Sequence, residues 1–408
     1  MIEPIASELT DWAALETPCY VFDEPELRAN FADFGAALEQ AWSPLAKAAY
    51  SVKTNPFPWI LDVAREEGAL AEVVSADEFA LALDCGFTAD QVVFNGPIKP
   101  KDWLFYALDH ASIVNLDSER ELAWTCEYAR ERGRAQVGIR VNIDLDHFCP
   151  GETITGPTGG RFGFCYENGE LSRAIARLRG AGAAIAGLHM HVTTLSRSQR
   201  AYRVLAQHAA RIVEEEGIQP SWIDMGGGFY GGGMRNDGAY ERYAETIAHE
   251  LRNAVDPLRC ALYVEPGGAV VCTPGRYVGK VVDAKDMAKG RFVTCELSRV
   301  NIDHEMKKTS YPLHVLPGDP APRKTLEAQT LCGFTCMESD RLCVLRDRDE
   351  LLPGDTLIID FAGAYSMSFT PGFFIQHAPA VYARDERGAC RLLRPLASPS
   401  APTDGLGS

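Results

Sequence analysis

Four short stretches of the chain carry residue types that do chemistry. In AYSVKTNP, residues 49–56, Lys53 ends an apolar run and precedes a turn marked by Asn55 and Pro56. A strongly hydrated cation at the end of a buried strand either snorkels to water or has a partner or a covalent task. In DMGGGFYGGG, residues 224–233, Gly226, Gly227 and Gly228 present backbone N–H groups with no side chain in the way. Such a run suits a phosphate, or simply makes a flexible turn. In YVEPGG, Glu265 stands before a proline. A carboxylate there acts as a general base, a metal ligand or the partner of a ring nitrogen, or it faces solvent. In GLHMHVTT, His189 and His191 share one face of a strand, because side chains alternate. They form either a metal pair or a place to lay a flat imidazole against a flat ligand.

The elements that must position these residues repeat. From residue 47 to 266, eight short apolar runs alternate with amphipathic, helix-like stretches: KAAYSVK, LAEVVS, QVVFNG, ASIVNLD, AQVGIRVN, IAGLHMHV, SWIDMGGG and ALYVEPG. Alternating β and α segments argue for a parallel sheet covered by helices, and eight units for a closed (β/α)₈ TIM barrel. The strand ends read Lys53, Ser75, Asn95, Asp117, Arg140 with Asn142, His189 with His191, the three glycines, and Glu265. Chemistry in such barrels collects at these ends. An amine, a phosphate cradle, a carboxylate and a stackable imidazole around one mouth suit pyridoxal 5'-phosphate.

After residue 270 short strand-like segments follow with few helical stretches between them: RYVGKVVDAKD, RFVTCEL, DRLCVLRD and DTLIIDF. The expected organisation is an N-terminal strand in residues 1–26 that joins a β domain, a barrel over 27–268, the C-terminal β domain over 269–395, and a disordered Pro/Ser/Gly-rich tail over 396–408. The chain of 408 residues has 46% apolar residues, 24% charged residues and a formal net charge of −16. That charge argues against a nucleic-acid surface. No apolar run is long enough to cross a bilayer, and the acidic start MIEPIASELTDW lacks signal-peptide features, so a cytoplasmic location is expected. The twelve cysteines include no CxxC pair, and no metal site is expected from them.

The motifs, in this order, resemble those of the fold-type III pyridoxal-phosphate decarboxylases, the group of diaminopimelate, ornithine and arginine decarboxylases. The likeness runs from TPCYVFD to about GAYSMSF. It implies that Lys53 in YSVKTN is the Schiff-base lysine. It also implies cofactor contacts from Ser75, in the segment VVSADEFALAL that carries Glu78, and from Arg140 in GIRVN, and RFGF at 161–164 resembles the family's Lys-Phe-Gly element. His191 then stacks on the cofactor ring, Thr194 takes the place of a phosphate-binding serine, and Gly226, Gly227 and Gly228 hold phosphate. Glu265 meets the pyridine nitrogen, and Tyr365 in GAYSM stands near the phosphate. Cys336 in CGFTCMESD becomes a catalytic cysteine contributed across the interface of a head-to-tail homodimer.

Two departures bear on substrate. The arginine of the family's EPGR element is replaced by Gly268, and Cys336 is followed by Met337 where basic-amino-acid enzymes place Asp or Glu for a distal ammonium. Met337 offers only packing, and Glu338 is one residue on. In NIDHEMKKTSYP, Lys307 and Tyr311 fall where diaminopimelate enzymes carry an Arg and a Tyr for a substrate carboxylate, with His304 and Lys308 beside them. The segment is either a solvated basic loop or an anion-binding wall. The resulting expectation is decarboxylation of a carboxylate-rich conjugate, such as a citryl-diaminopropionate intermediate of siderophore assembly. The alternatives are a diaminopimelate or other basic-amino-acid decarboxylase, a metal-dependent barrel hydrolase built on His189 and His191, and a non-catalytic relative. Alanine racemase, with a similar barrel, places an arginine at the ring nitrogen, where Glu265 favours decarboxylation.

Overall fold

The structure, a computed structural model, describes residues 10–231, 239–303, 306–369 and 378–397. His304, Gly232, Gly233 and the tail from residue 398 lie outside the described residues. The chain forms two compact units, Arg28–Val270 and the combination of Met1–Leu27 with Val271–Ser408.

The first strand, β1 (Cys19–Asp23), belongs to the second of these units. The unit Arg28–Val270 is built on β2 (Lys47–Ser51), β3 (Leu70–Val73), β4 (Val92–Phe94), β5 (Ile113–Leu116), β6 (Gln136–Asn142), β8 (Ala184–His189), β9 (Trp222–Asp224) and β10 (Ala261–Val264). A two-residue strand, β7 (Phe164–Cys165), lies beside β6. The order β5-β4-β3-β2-β10-β9-β8-β6 is parallel throughout, and β5 pairs with β6 to close an eight-stranded barrel. This is the barrel expected from the alternating apolar runs.

Helix signals between the strands are local and readable. Ser118 Oγ accepts from Glu121 N at the start of Glu119–Arg132, and Gly133 ends that helix at φ 67°. The barrel interior is filled by Ala49, Val93, Ile113, Ala186, Trp222 and Ala261. Trp222 fits because β6 and β8 carry glycines beneath it. A Cβ on Gly187 would stand 2.1 Å from Trp222 Nε1, and one on Gly138 would stand 2.0 Å from Asn115 Oδ1. The sequence reading ran the first barrel strand through Lys53. Instead β2 ends at Ser51, and Val52–Thr54 turn as a 3₁₀ segment.

The other unit is a mostly antiparallel sheet ordered β15-β14-β12-β11-β1-β17-β18, formed by β11 (Gly275–Met287), β12 (Gly290–Cys295), β14 (Thr325–Cys332), β15 (Arg341–Asp349), β17 (Ala380–Arg384) and β18 (Cys390–Arg394) with β1. β16 (Thr356–Ile359) pairs with β11 and with β13 (Leu313–Leu316). β1 lies antiparallel to β11 and parallel to β17. Its core gathers Trp12, Cys19, Val21, Val278, Ile358, Ala380 and Tyr382. The strands β13, β14, β17 and β18 were not read from the sequence. β14 (TLEAQTLC) and β18 (CRLLR) mix polar residues into a half-exposed pattern, so their apolar signal is weak. Among the described residues no helix is long and apolar enough to cross a membrane.

Candidate active site

The site is built from the C-terminal ends of the barrel strands. Lys53 sits in the turn after β2, 40% exposed, and its amine donates to Glu72 Oε2 at 2.6 Å and to Ser51 Oγ at 2.7 Å. Glu72 interrupts the apolar strand β3 and is only 1% exposed. A buried carboxylate needs donors, and it has three. Ser51 Oγ donates to Oε2 at 2.6 Å, Asn95 Nδ2 to Oε1 at 3.2 Å, and Lys53 contributes its amine and its charge. The contact with Lys53 is both a hydrogen bond and an ion pair.

Asn95 also donates to Glu265 Oε1 at 2.5 Å, so one amide joins the two carboxylates. Asn115 Nδ2 in turn donates to Asn95 Oδ1 at 2.9 Å and to Asp224 Oδ2 at 3.2 Å. His189 Nε2 lies 3.2 Å from Glu265 Oε1. Burial works to raise the Glu265 carboxyl, but His189, His191 and Lys53 outweigh it and hold it well below its usual range. Asp224 goes the other way: burial and then the Glu265 charge push it well above. The two carboxyls are thus pushed in opposite directions, Glu265 toward its ionised form and Asp224 toward its protonated form.

His191 Nδ1 accepts from Gly227 N at 3.1 Å, which fixes a neutral ring with its proton on Nε2. Burial pushes that imidazole down to about 3. Arg140 pairs with Asp117 at 3.2 Å and donates to the carbonyl of His191 at 3.3 Å. Its guanidinium also lies over Phe162, 4.6 Å from the ring centroid. Gly163 follows at φ 77°, where a Cβ would meet the Arg140 carbonyl at 2.6 Å.

The three glycines divide their amides. Gly226 N donates to Asp224 Oδ1 at 3.0 Å and Gly227 N to His191, whereas Gly228 is exposed at φ 93°. A Cβ on Gly227 would stand 2.4 Å from the Glu265 carbonyl, and one on Gly226 would stand 2.5 Å from His191. Ser75 caps the helix Ala76–Asp84 by accepting from Glu78 N, while Glu78 reaches back to Val74 N at 2.8 Å. Thr194 is buried, pairs with Thr153, and accepts from Arg197 N at 3.2 Å.

In the β unit, Cys336 is exposed, Met337 half-buried and Glu338 exposed. Glu338 pairs with Arg341 at 3.1 Å and is 95% exposed. Tyr311 gives its hydroxyl proton to Asp303 Oδ2 at 3.0 Å. Burial and then Asp303 push that hydroxyl up, so it remains a donor. Lys307 is exposed, and its backbone N–H donates to Asp303 Oδ1 at 3.2 Å. Tyr365 is 40% exposed at φ 55°, with its ring 5.8 Å from that of Phe369. Gly268 opens the short helix Gly268–Val271 of the barrel unit.

A metal reading has one cluster to draw on among the described residues, His189, Asp224 and Glu265, with ligand atoms within 4.8 Å of one another. It is not the His189–His191 pair, whose rings lie 6.2 Å apart with His191 Nδ1 already bonded. A metal needs deprotonated ligands. Burial and the Glu265 charge hold Asp224 toward its protonated form, and Glu265 already accepts from Asn95, so a metal would have to displace both. The donor set suits a flat cationic ring above Glu265 and a carbonyl carbon beside Lys53 better than an ion. Glu72, Ser51, Asn115 and Asp224 were missed in the sequence. Only Glu72, a charge inside an apolar run, gave a signal.

The profile of the family described as "Pyridoxal-dependent decarboxylase, pyridoxal binding domain" matches residues 26–279. A probable chloroplastic diaminopimelate decarboxylase from Oryza sativa subsp. japonica is 26% identical over 388 residues, covering 94% of this chain and 78% of its own length. The L-glutamyl-[BtrI acyl-carrier protein] decarboxylase of Niallia circulans is 25% identical over 398 residues, covering 93% and 91%. The crystal structure of Helicobacter pylori diaminopimelate decarboxylase complexed with L-lysine superposes with a TM-score of 0.78 at 22% identity, covering 94% of this chain and 95% of that one.

Proposed function

The chain belongs to the pyridoxal-dependent decarboxylases, and from that premise we propose that its substrate is an amino acid conjugated to a carboxylate-bearing group, rather than a free diamino acid. It is a carboxy-lyase that uses pyridoxal 5'-phosphate. That cofactor, when bound, supplies an aldehyde carbon for amines and a ring that draws in the electron pair left by departing CO₂.

The residues divide the work as follows. Lys53 supplies the amine that holds the cofactor, and Glu72 and Ser51 aim it. Glu265, held toward its ionised form, would face the ring nitrogen and favour its protonated, electron-withdrawing state. His191, neutral and locked by Gly227, presents a flat face without adding a competing positive charge. Arg140 holds His191 through its carbonyl. Gly228 and Thr194 would offer donors to the phosphate, with Ser75 as a further contact. Cys336, from the partner of a homodimer, returns a proton to the carbon that loses CO₂.

The observation that carries the substrate reading is the orientation of Glu338. Its carboxylate is committed to Arg341 and solvent, and Met337 brings none. A distal ammonium placed against this loop would be left without an anion. Leaving a buried ion unpaired costs several kcal/mol by rough estimate, and a site with an unmatched charge rejects such a substrate by orders of magnitude. Lys307 offers a cation for a distal carboxylate instead. Tyr311, whose proton goes to Asp303, orients that segment. The Niallia circulans relative is named for a substrate joined to a carrier, so conjugates lie within the chemistry of similar proteins.

The test is a CO₂-release screen of free diaminopimelate, ornithine and lysine against citryl- and acyl-linked diamino acids. Turnover of a conjugate well above the free amino acids is expected. Efficient decarboxylation of free diaminopimelate would return the protein to the activity for which the rice relative is named.

A further inference from the structure

The loop that carries Cys336 is closed by one buried carboxylate. Asp340 is 2% exposed, and its oxygens accept from Ser298 Oγ at 2.8 Å, Arg299 N at 3.0 Å, Thr335 N at 3.1 Å and Thr335 Oγ1 at 2.7 Å. Its own backbone N–H donates to the Met337 carbonyl at 2.9 Å, and its carbonyl accepts from Gly333 N at 2.8 Å. Residues 333–340 are thus tied end to end around Asp340. The fit is close: a Cβ on Gly333 would stand 2.2 Å from Asp340 Oδ2.

A second buried carboxylate does the same for the neighbouring segment. Asp303 accepts from Arg299 Nη2 at 2.9 Å, Tyr311 Oη at 3.0 Å, Lys308 N at 2.9 Å and Lys307 N at 3.2 Å. Arg299 is the link between the two. Its backbone N–H binds Asp340, Nη1 reaches the Ser339 carbonyl at 3.2 Å, and Nη2 serves both Asp303 and the Lys308 carbonyl at 2.9 Å. Two anions, one guanidinium and the backbones of both segments form a continuous network that is mostly out of water. Removing one member of such a network strands the donors of the others.

We propose that Asp340, Arg299 and Asp303 weld the Cys336 loop to the Lys307–Tyr311 segment, so that the proton-returning thiol and the substrate's distal-group contacts are positioned as one rigid body. All three are positioning residues, acting through Cys336 and Lys307. The proposal rests on the roles given to those two residues above. It makes specificity and turnover inseparable here, because a change at Asp303, on the substrate side, displaces the thiol.

Every partner of the Asp340 and Asp303 carboxylates named above is a donor. Replacing either by Asn therefore turns one acceptor oxygen into an amide that faces N–H or O–H groups, with no change of size. The measurement is the alkylation rate of Cys336 in the holoenzyme, resolved by peptide mass spectrometry, with half-buried Cys165 of the barrel as internal reference. Asp303→Asn should raise the Cys336 rate at least about threefold, leave Cys165 unchanged, and lower kcat together with its effect on KM. Asp340→Asn should do the same more strongly. If that variant fails to fold, Ser298→Ala removes one of the four bonds to the Asp340 carboxylate, together with the cap on Val300 N, and should shift Cys336 in the same direction. Wild-type Cys336 alkylation in Asp303→Asn overturns the weld, as does a rise in Cys165 that matches Cys336, which marks general loosening. Cys336→Ala with full kcat refutes the role of the thiol instead, and the alkylation result stands independently of it.

Discussion

Lys99 and Glu121 form an ion pair with both side chains at 0% exposure, and breaking it should be costly in a predictable way. The Lys99 amine donates to Glu121 Oε2 at 3.0 Å and to the Gly96 carbonyl at 2.8 Å, beside the Phe94 ring. Burial lowers the affinity of Lys99 for its proton, and Glu121 opposes that. Lys99→Met keeps the length and removes the charge. It leaves the Glu121 carboxylate in a dry site with the Asp117 backbone N–H, at 2.8 Å, as its remaining hydrogen bond. Stranding one member of a buried pair costs about 3–5 kcal/mol. The barrel unit Arg28–Val270 is of a size for which 1 kcal/mol shifts Tm by roughly 2–4 °C. The barrel transition should therefore fall by roughly 6–20 °C, followed by circular dichroism on the apoenzyme and checked by urea titration. Lys99→Met combined with Glu121→Leu removes both charges and should recover most of the loss, because a buried pair exchanged for apolar groups is often neutral. The damage should also reach the site. Glu121 holds the Asp117 backbone, Asp117 holds Arg140, and Arg140 holds the carbonyl of His191, so the single variant should bind the cofactor more weakly. A loss under about 1 kcal/mol in Lys99→Met, or a double variant no better than the single, would refute this account of the pair.

Glu265→Gln should retain the cofactor but lose about 10²–10³-fold in kcat, as removal of a preorganised charge does; unchanged turnover in a steady-state assay contradicts its role. Gly227→Ala places a methyl 2.4 Å from the Glu265 carbonyl, which costs about 1–3 kcal/mol of overpacking and should weaken cofactor binding, read by absorbance titration. Mixing Lys53→Ala with Cys336→Ala subunits should restore partial activity through heterodimers that keep one intact site; none, once subunit exchange is shown, argues against shared sites. His191 is neutral in the fold down to about pH 3, whereas an unfolded histidine takes a proton near 6.5. Its contribution is therefore whole above pH 6.5 and lost as pH falls from there toward 3. In denaturant titrations of the apoenzyme, His191→Gln should flatten that acid limb by up to about 1.4 kcal/mol per pH unit, and an unchanged slope would show that His191 is not the group.

The barrel was legible because its signals are local. Apolar runs, capping serines such as Ser118 and helix-ending glycines such as Gly133 each act within a few residues. The grouping of Lys53, His191 and Glu265 was legible for a related reason: they stand at or just after the ends of barrel strands, where polar residues mark the mouth. Partner choice was not legible. The resemblance makes Tyr311 an anion contact, yet its proton goes to Asp303, a residue whose importance depends on Arg299 being folded against it. The glycine run likewise reads as three equivalent amides, but Asp224 and His191 claim two of them. In both cases the competing acceptor comes from elsewhere in the fold.

The polar interior of the barrel explains why so many strand ends had to be polar at once. Glu265 must stay ionised while buried, and a buried carboxylate persists only if donors surround it. Asn95 provides one, but the amide oxygen of Asn95 then needs a donor of its own, which Asn115 supplies. Asn115 in turn exposes an oxygen, and Trp222 Nε1 covers it at 3.2 Å. Trp222 fits only over Gly187, and Asn115 only over Gly138. One charged residue at the mouth thus fixes a tryptophan and two glycines deep in the barrel, each by an ordinary requirement of hydrogen bonding or volume. Of that chain, only Glu265 and Asn95 announce themselves in the sequence. The rest are polar or small residues inside apolar strands, and their reason lies on the strand opposite.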